Sequence, residues 1–300
     1  MTQQGHGIGE VVVGVDGSDE ARRALAWALG EARLRGVAVR MLTVWEGRQP
    51  PGDRDGRTVV EFEEDVAARM RADAVGAAQV TGTTAVPVVP EVRYGHPARS
   101  LIEAAGSDGL LVVGSRGMGG LRGRLMGSVS QQCAQYADCP VVVARGEWVG
   151  ERTASLRRVV VGVDGSDDSV SAARFAAAEA RLRGAELHVV HGWIDTVSGY
   201  GGPLWEVPDA TLREEAEAAL QQSLQAAGLD RPGDVRVRAE AIEGVDRDVL
   251  LDVAEGADLL VVGSRGRSGW AGLLLGSVGL HCVTAAPCPV AVLRPSHSEG

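Results

Sequence analysis

The residues with the clearest chemical meaning are glycines that recur twice at one fixed spacing, each time followed by a serine. Both copies read G-x2-G-x9-G-S, and they comprise Gly114, Gly117, Gly127 and Ser128 in the first and Gly263, Gly266, Gly276 and Ser277 in the second. Because glycine has no Cβ, it can adopt a positive φ and allow backbone N–H groups to approach an anion. A single glycine is an ordinary turn residue, but this spacing occurring twice predicts two anion-binding loops.

The surroundings of each loop specify the anion more closely. A Val- and Leu-rich run precedes the first loop, and a segment of helical character begins at Ser128. The first turn of that helix would present unpaired N–H groups and the positive end of its dipole, which favours a phosphate. The serine hydroxyl and a guanidinium, from Arg116 or Arg124, would add donors. The remaining members of the two predicted phosphate sites are Val129, Ser130, Arg265 and Val278.

The two loops differ in charge. Arg122 and Arg124 of the first loop are replaced by Ala271 and Leu273 in the second. Because guanidinium groups bind phosphate oxygens strongly, we expect the first loop to hold terminal phosphates more tightly than the second.

A carboxylate ends the first apolar run of each copy, within the repeated sequence V-V-V-G-V-D-G-S-D. Asp16 and Asp164 at this position could accept hydrogen bonds from ribose hydroxyls or help to hold Mg2+ beside phosphates. The same sequence is also a good turn and helix-capping signal, with Ser18 or Asp19 as the cap. A purely local role for the aspartates is therefore the alternative.

The whole chain is a tandem repeat of about 150 residues, which is the length of a domain rather than of a solenoid repeat. We predict a first domain over residues 1–146, a linker over 147–157 and a second domain over 158–300.

Within each copy, short apolar runs alternate with longer helical segments, a pattern typical of a doubly wound α/β domain with a parallel sheet. The predicted strands lie near 10–15, 37–45, 86–93, 109–114 and 140–145, then near 158–163, 185–193, 234–242, 258–263 and 289–294. The first-copy helices are expected over Glu20–Arg35, Val59–Val80, Pro97–Ala105 and Ser128–Tyr136. Such sheets bind ligands at the carboxyl ends of their strands, where the aspartates and the glycine loops would meet.

These motifs resemble the ATP-binding motif of the universal stress protein family. The resemblance covers nearly the whole chain, including the opening V-V-V-G-V-D-G-S and the closing strands after Cys139 and Cys288. A tandem pair without lysine is similar to the two-domain members from high-GC actinobacteria. The resemblance implies two Rossmann-like, five-stranded parallel sheets of strand order 3-2-1-4-5, each with ATP as its ligand.

The resemblance also implies where the nucleotide lies. The adenosine would lie over the ends of strands 1 and 2, and the glycine loop would hold the phosphates. The backbone of Val44, or of its counterpart Gly192, would meet the adenine edge. The residues implied to flank the nucleoside are Gly14, Val15 and Asp16 in the first copy and Gly162, Val163 and Asp164 in the second.

Composition excludes several classes of function. The formal net charge of −10 disfavours nucleic acid, and every basic residue is arginine, so a Walker-type loop with its lysine is absent. No run approaches the roughly 20 apolar residues that span a bilayer, and the segment from Met1 to Glu10 has neither a basic region nor an apolar stretch. We therefore expect a cytoplasmic protein whose four cysteines are small buried apolar side chains.

The leading hypothesis is a nucleotide-binding regulatory protein of the stress response, whose surface depends on ATP and whose protein partner is unknown. A slow ATPase or self-phosphorylating enzyme is the alternative, although no general base accompanies the loops and no catalytic residue is assigned. A cyclic-nucleotide or flavin module on the same fold is a third possibility. The two domains are expected to form an internal pseudo-dimer through their fifth strands, with a homodimer also open.

Overall fold

The computed structural model describes residues 8–46, 58–117, 126–146, 157–194, 209–231, 233–266 and 275–294. The chain divides into two compact units, Met1–Thr153 and Ala154–Gly300. Most of the predicted linker, residues 147–156, lies outside the described residues. The domain limits drawn from the sequence therefore stay a prediction.

The first unit is a doubly wound α/β domain. Along the chain its elements are β1 (Val11–Gly14), α1 (Asp19–Arg35), β2 (Val39–Trp45), α2 (Val59–Thr81), β3 (Val88–Tyr94), α3 (Pro97–Ala105), β4 (Leu110–Gly114), α4 (Ser128–Tyr136) and β5 (Val141–Ala144). The strands lie in the order β3-β2-β1-β4-β5 and all pair in parallel. This is the strand order that the resemblance implied.

The second unit repeats this plan. Its elements are β6 (Arg158–Gly162), α5 (Asp167–Arg183), β7 (Glu186–Trp193), α6 (Asp209–Ala227), β8 (Val237–Glu243), α7 (Asp246–Val253), β9 (Leu259–Gly263), α8 (Ser277–Ala285) and β10 (Val290–Leu293). The strand order β8-β7-β6-β9-β10 is again 3-2-1-4-5, and the pairing is parallel. The predicted fold class is confirmed in both units.

The centre of each sheet is buried on both faces because helices cover it on both sides. Val11, Val12 and Val13 of β1 and Leu110 and Leu111 of β4 have no exposed surface. Consecutive apolar residues are therefore required in these strands, which explains why the Val- and Leu-rich runs predicted them so closely.

The helix after the first strand begins at its own capping residue. Ser18 Oγ accepts a hydrogen bond from the backbone N–H of Ala21 at 3.1 Å, so Ser18, rather than Asp19, is the N-cap of α1. Ser166 caps α5 in the same way. Gly17 precedes the first cap with φ 85°, a backbone conformation that favours glycine.

The first turn of α1 packs directly on the end of β4. A Cβ added at Gly114 would lie 2.9 Å from the carbonyl carbon and oxygen of Glu20. In the second unit, a Cβ at Gly263 would lie 2.9 Å from the carbonyl carbon of Asp168. Glycine at these strand ends is therefore required by the close approach of helical backbone.

All four cysteines are buried, and none forms a disulfide. Burial raises the pKa of Cys133 in α4 to about 12, and it does the same for Cys282 in α8. In the part of the chain that the structure describes, no helix is both long and apolar enough to cross a membrane.

The close contact at Gly114 leads to a stability prediction. Gly114→Ala should lower the free energy of unfolding by about 1–3 kcal/mol, because the new methyl group meets backbone that cannot move aside. Gly76→Ala is the control, since Gly76 lies within α2 with no atom near its Cβ position. That change should stabilise the protein by about 0.5–1 kcal/mol. Urea denaturation followed by circular dichroism measures both, and equal stability of the two variants would contradict the packing argument.

Candidate functional site

A cavity of about 350 Å³ opens at the carboxyl ends of the strands in the second unit. Every second-copy residue predicted from the sequence lines it: Gly162, Val163, Asp164, Gly192, Gly263, Arg265, Gly266, Gly276, Ser277 and Val278. The structure therefore brings these residues together around one space large enough for a small ligand.

The helix that follows each glycine loop begins without a side-chain cap. Gly276 is the N-cap of α8, and the first helical hydrogen bond runs from the N–H of Leu280 to the carbonyl of Gly276 at 2.9 Å. Within the described residues, the N–H groups of Ser277, Val278 and Gly279 have no hydrogen-bond acceptor. Three adjacent donors and the positive end of the helix dipole therefore face the cavity.

The first unit begins α4 in the same way. Gly127 is the N-cap without a side-chain hydrogen bond, and the N–H of Gln131 donates to its carbonyl at 3.0 Å. Ser128, Val129 and Ser130 therefore occupy the first turn, where their N–H groups find no acceptor among the residues that the structure describes.

One backbone hydrogen bond closes the base of each loop. The N–H of Gly127 donates to the carbonyl of Ser115 at 2.9 Å, and the N–H of Gly276 donates to Ser264 at 2.7 Å. The strand exit and the helix start are thereby held side by side. The predicted contribution of Arg124 falls in residues 118–125, outside the described residues, as does the loop segment 267–274.

The described glycines of the loops do not adopt the positive φ that their residue type allows. None of the six described motif glycines has a φ in the positive range. A Cβ at Gly117 would instead lie 2.6 Å from Oδ2 of Asp16, and one at Gly266 would lie 2.6 Å from Oδ2 of Asp164. At Gly117 and Gly266, a side chain would crowd the neighbouring carboxylate, and a left-handed backbone is not the reason for glycine at either position.

The two aspartates form the turn bonds expected of a local role, while their function as ligands stays a prediction. Oδ1 of Asp16 accepts the N–H of Ser18 at 3.0 Å, and Oδ1 of Asp164 accepts the N–H of Ser166 at 3.0 Å. These bonds form the turn before α1 and α5, while Oδ2 faces the glycine loop. Among the described residues, no group of three or more His, Cys, Asp or Glu side chains could hold a metal ion. A Mg2+ ion at Asp16 or Asp164 would thus need phosphate and water oxygens as its other ligands.

The predicted arginines form ion pairs with the first turn of the neighbouring helix. Nη2 of Arg116 donates to Oε1 of Glu20 at 3.0 Å. Nε of Arg265 lies 3.5 Å from Oδ2 of Asp168, which also accepts the Arg265 N–H at 3.0 Å. To bind a phosphate, each guanidinium would have to bind the phosphate and the carboxylate together or break its ion pair with the carboxylate.

The side chain of Ser130 is engaged elsewhere than predicted. Its hydroxyl donates to the carbonyl of Gly114 at 2.5 Å, so it joins α4 to the end of β4. Its hydroxyl proton is therefore not available to a phosphate in this arrangement. Gly279 replaces it in the second unit, with the carbonyl of Gly263 3.4 Å from its Cβ position.

The residues predicted to flank the nucleoside make equivalent contacts in the two units. The Val15 N–H donates to the carbonyl of Leu42 at 2.9 Å, and Val163 repeats this bond to Val190. A Cβ at Gly14 would lie 2.9 Å from Leu101. The corresponding second-unit pair is Gly162 and Leu250, at 2.7 Å. Val44 lies in β2, where it pairs with Arg93 of β3.

Sequence reasoning missed Asp246, a carboxylate that lines the cavity. It is the first residue of α7, and its Oδ1 lies against Gly192. Burial raises the pKa of Asp246, while His191 lowers it and the charge of Asp164 raises it further. Asp246 lies far from both glycine motifs along the chain, and the first copy has Pro97 at the matching position. Repeat comparison therefore could not have revealed it.

The raised pKa of Asp246 has a measurable consequence for stability. Because its pKa is raised in the folded state, folding favours the protonated carboxyl. The stabilisation due to that proton is present below the ordinary carboxyl pKa, about 4, and is lost as pH rises through the raised pKa. Asp246→Asn should therefore raise the thermal unfolding midpoint at neutral pH, with the gain shrinking as pH falls.

Thermal unfolding between about pH 4 and pH 8 tests this expectation. The control is Asp248→Asn on the same helix, because the Asp248 side chain is 57% exposed. A gain that does not depend on pH, or that is equal in both variants, would show that desolvation of Asp246 is not its cause.

Comparisons with known proteins agree with the repeat. The sequence profile described as the Universal stress protein family matches residues 7–145 and again residues 155–294. A universal stress protein of Mycolicibacterium smegmatis is 37% identical over 295 residues, covering 95% of this chain and 97% of that protein. Universal stress protein Rv2623 of Mycobacterium tuberculosis is 33% identical over 297 residues, covering 95% and 96% respectively. The crystal structure of a universal stress protein from Archaeoglobus fulgidus, 23% identical, has the same fold with a TM-score of 0.67, covering 96% of this chain and 99% of that one.

Proposed function

The chain belongs to the universal stress protein family, and from that premise we propose that it is a regulatory protein that binds one adenine nucleotide, preferentially ATP, in each unit. The observation that carries this proposal is the uncapped start of α8, whose unpaired N–H groups face the cavity. Serine caps α1 and α5, whereas α4 and α8 begin without a side-chain cap, as α3 and α7 also do. What distinguishes α4 and α8 is that each follows a glycine loop. An anion is the ligand that such an opening favours.

The shape of the cavity favours a nucleotide over a free phosphate. Its lining runs from the start of α8, beside β9, across the end of β6 to Gly192 at the end of β7. Neighbouring strands are about 4.8 Å apart, so this span is about 10 Å, the reach of a nucleoside joined to phosphates. The lining away from α8 includes Val190 of β7 and Leu250 of α7, which suit the apolar faces of a base and a ribose.

The two sites are proposed to bind with unequal strength. Ser130 links α4 to β4 in the first unit, whereas Gly279 makes no such link in the second. The first loop also carries Arg122 and Arg124 in its sequence. Both differences favour tighter binding of terminal phosphates in the first unit, through a firmer helix start and a higher local positive charge.

Regulation is favoured over catalysis by the groups around the cavity. Among the residues that the structure describes, the titratable ones that line it are Asp164, Asp246 and Arg265. One oxygen of Asp164 is engaged in the turn before α5, and Asp246 lies at the end away from α8. A slow ATPase or self-phosphorylating enzyme is the second candidate, with Asp164 as the carboxylate nearest the glycine loop. Cytoplasmic location, the pseudo-dimer and the protein partner stay predictions from the sequence.

The stoichiometry of ATP binding tests the proposal. The wild-type chain should bind two ATP per molecule, and Gly117→Val or Gly266→Val should each abolish one site. In each variant the new side chain would enter space next to a carboxylate, where a Cβ alone would lie 2.6 Å from Oδ2. We expect Gly117→Val to remove the tighter site. Isothermal titration calorimetry measures both the stoichiometry and the affinities.

The matched control is Gly76→Ala, which changes a glycine within α2 that has no atom near its Cβ position and should keep both sites. The proposal fails if wild-type protein binds no ATP. The ranking of the sites fails if Gly117→Val leaves binding unchanged while Gly266→Val abolishes it.

Single-turnover hydrolysis separates the regulatory protein from the enzyme. With ATP bound at both sites, we expect hydrolysis slower than about one turnover per minute, since no positioned general base is assigned. Faster turnover that the double variant Gly117→Val, Gly266→Val abolishes would establish the enzyme instead. Turnover that the double variant retains would identify a contaminant.

A further inference from the structure

The two units differ at the end of the cavity away from the glycine loop. In the first unit, Val44 lies in β2 and Pro97 is the first residue of α3. In the second unit, Gly192 and Asp246 occupy the matching places in β7 and α7. A pair of apolar residues is thus exchanged for a glycine and a carboxylate.

The two exchanges depend on each other. A Cβ at Gly192 would collide with Oδ1 of Asp246, and it would lie 2.9 Å from the Asp246 Cα and 3.3 Å from its Cγ. Because Cα belongs to the backbone of α7, rotation of the side chain could not relieve the contact. Glycine at position 192 is therefore what makes room for the carboxylate of Asp246 in the cavity wall.

The carboxylate of Asp246 lacks donors from the protein. Among the described residues, none donates a hydrogen bond to it, and the charged or titratable groups that influence it are His191 and Asp164. Nδ1 of His191 is already engaged with the carbonyl of Val163 at 2.8 Å. The Asp246 side chain is exposed and lines the cavity, so its acceptor oxygens are open to a donor that a ligand brings.

The position of Asp246 indicates which part of a ligand it meets. It lies beside β7, whereas the unpaired N–H groups of α8 lie beside β9, with β6 between them. A carboxylate only accepts hydrogen bonds and repels phosphate, so the phosphates belong at the α8 end and the base at the Asp246 end. The donors that a purine base offers outside its ring are exocyclic amino groups.

We propose that Asp246 is a specificity-determining residue of the second unit, which accepts a hydrogen bond from an exocyclic amino group of a purine base. The inference rests on the proposed nucleotide function. It identifies the amino group of the base as the part of the nucleotide that the second unit recognises. Proline at position 97 cannot accept such a bond through its side chain, so the first unit does not share the selection. Adenine carries its amino group at position 6 and guanine at position 2, whereas hypoxanthine carries none.

The experiment compares ATP, GTP and ITP on the full chain carrying Gly117→Val, which leaves the second site as the one measured. ITP should bind about ten-fold or more weakly than ATP, the loss expected for one hydrogen bond to a charged acceptor. Asp246→Asn in this background should reduce the ATP-to-ITP ratio to about three-fold or less, because an amide can either accept from an amine or donate to the 6-oxygen. Calorimetry gives each affinity.

The matched control is Asp248→Asn, which removes an exposed carboxylate from the same helix and should keep the full ratio. An equal ratio in the Asp246→Asn and Asp248→Asn proteins would overturn the inference while leaving nucleotide binding intact. Absence of ATP binding from the wild-type chain would instead defeat the proposed function. GTP binding more tightly than ATP, with the preference lost in Asp246→Asn, would support amino-group recognition and assign it to guanine.

Discussion

The structure of both sites depends on the short distance between the end of the fourth strand and the helix that follows the first. The backbone of α1 at Glu20 lies against Gly114, and the backbone of α5 at Asp168 lies against Gly263. This contact fixes where the chain leaves the sheet. The loop that follows is then closed at its base by the bond from Gly127 to Ser115, or from Gly276 to Ser264. The open helix starts are consequently held over the ends of the central strands.

Much of this arrangement could be predicted from the sequence, because the relevant interactions are local or repeated. Doubly buried strands require continuous apolar runs, and these located β1 and β4 closely. The helix beginning at Ser128 also lies where it was predicted. The duplicated glycine spacing singled out residues that line one cavity in the second unit. A pattern that occurs twice is informative because the same physical constraint selected it in each copy.

The parts that sequence reasoning missed depend on contacts between residues distant along the chain. The spacing singled out Gly117, but neither its closeness to Asp16 nor the absence of a positive φ could be predicted from the spacing. The sequence predicted Ser130 as a phosphate-binding residue, but its hydroxyl donates to the carbonyl of Gly114, a contact that the sequence does not reveal. Asp246 had no counterpart to draw attention to it, since the first copy has proline there. Comparison of the two copies therefore cannot identify a site residue that only one copy contains.

The burial of Cys133 in α4 and of Cys282 in α8 has a practical consequence. At neutral pH a thiol with a pKa of about 12 is almost entirely un-ionised, and Cys133 and Cys282 are also fully enclosed. Alkylating reagents and oxidants attack the thiolate, so they can reach these sulfurs only when α4 or α8 detaches from its sheet. The rate of alkylation at each sulfur therefore reports how often that helix detaches, one native reporter for each half of the chain.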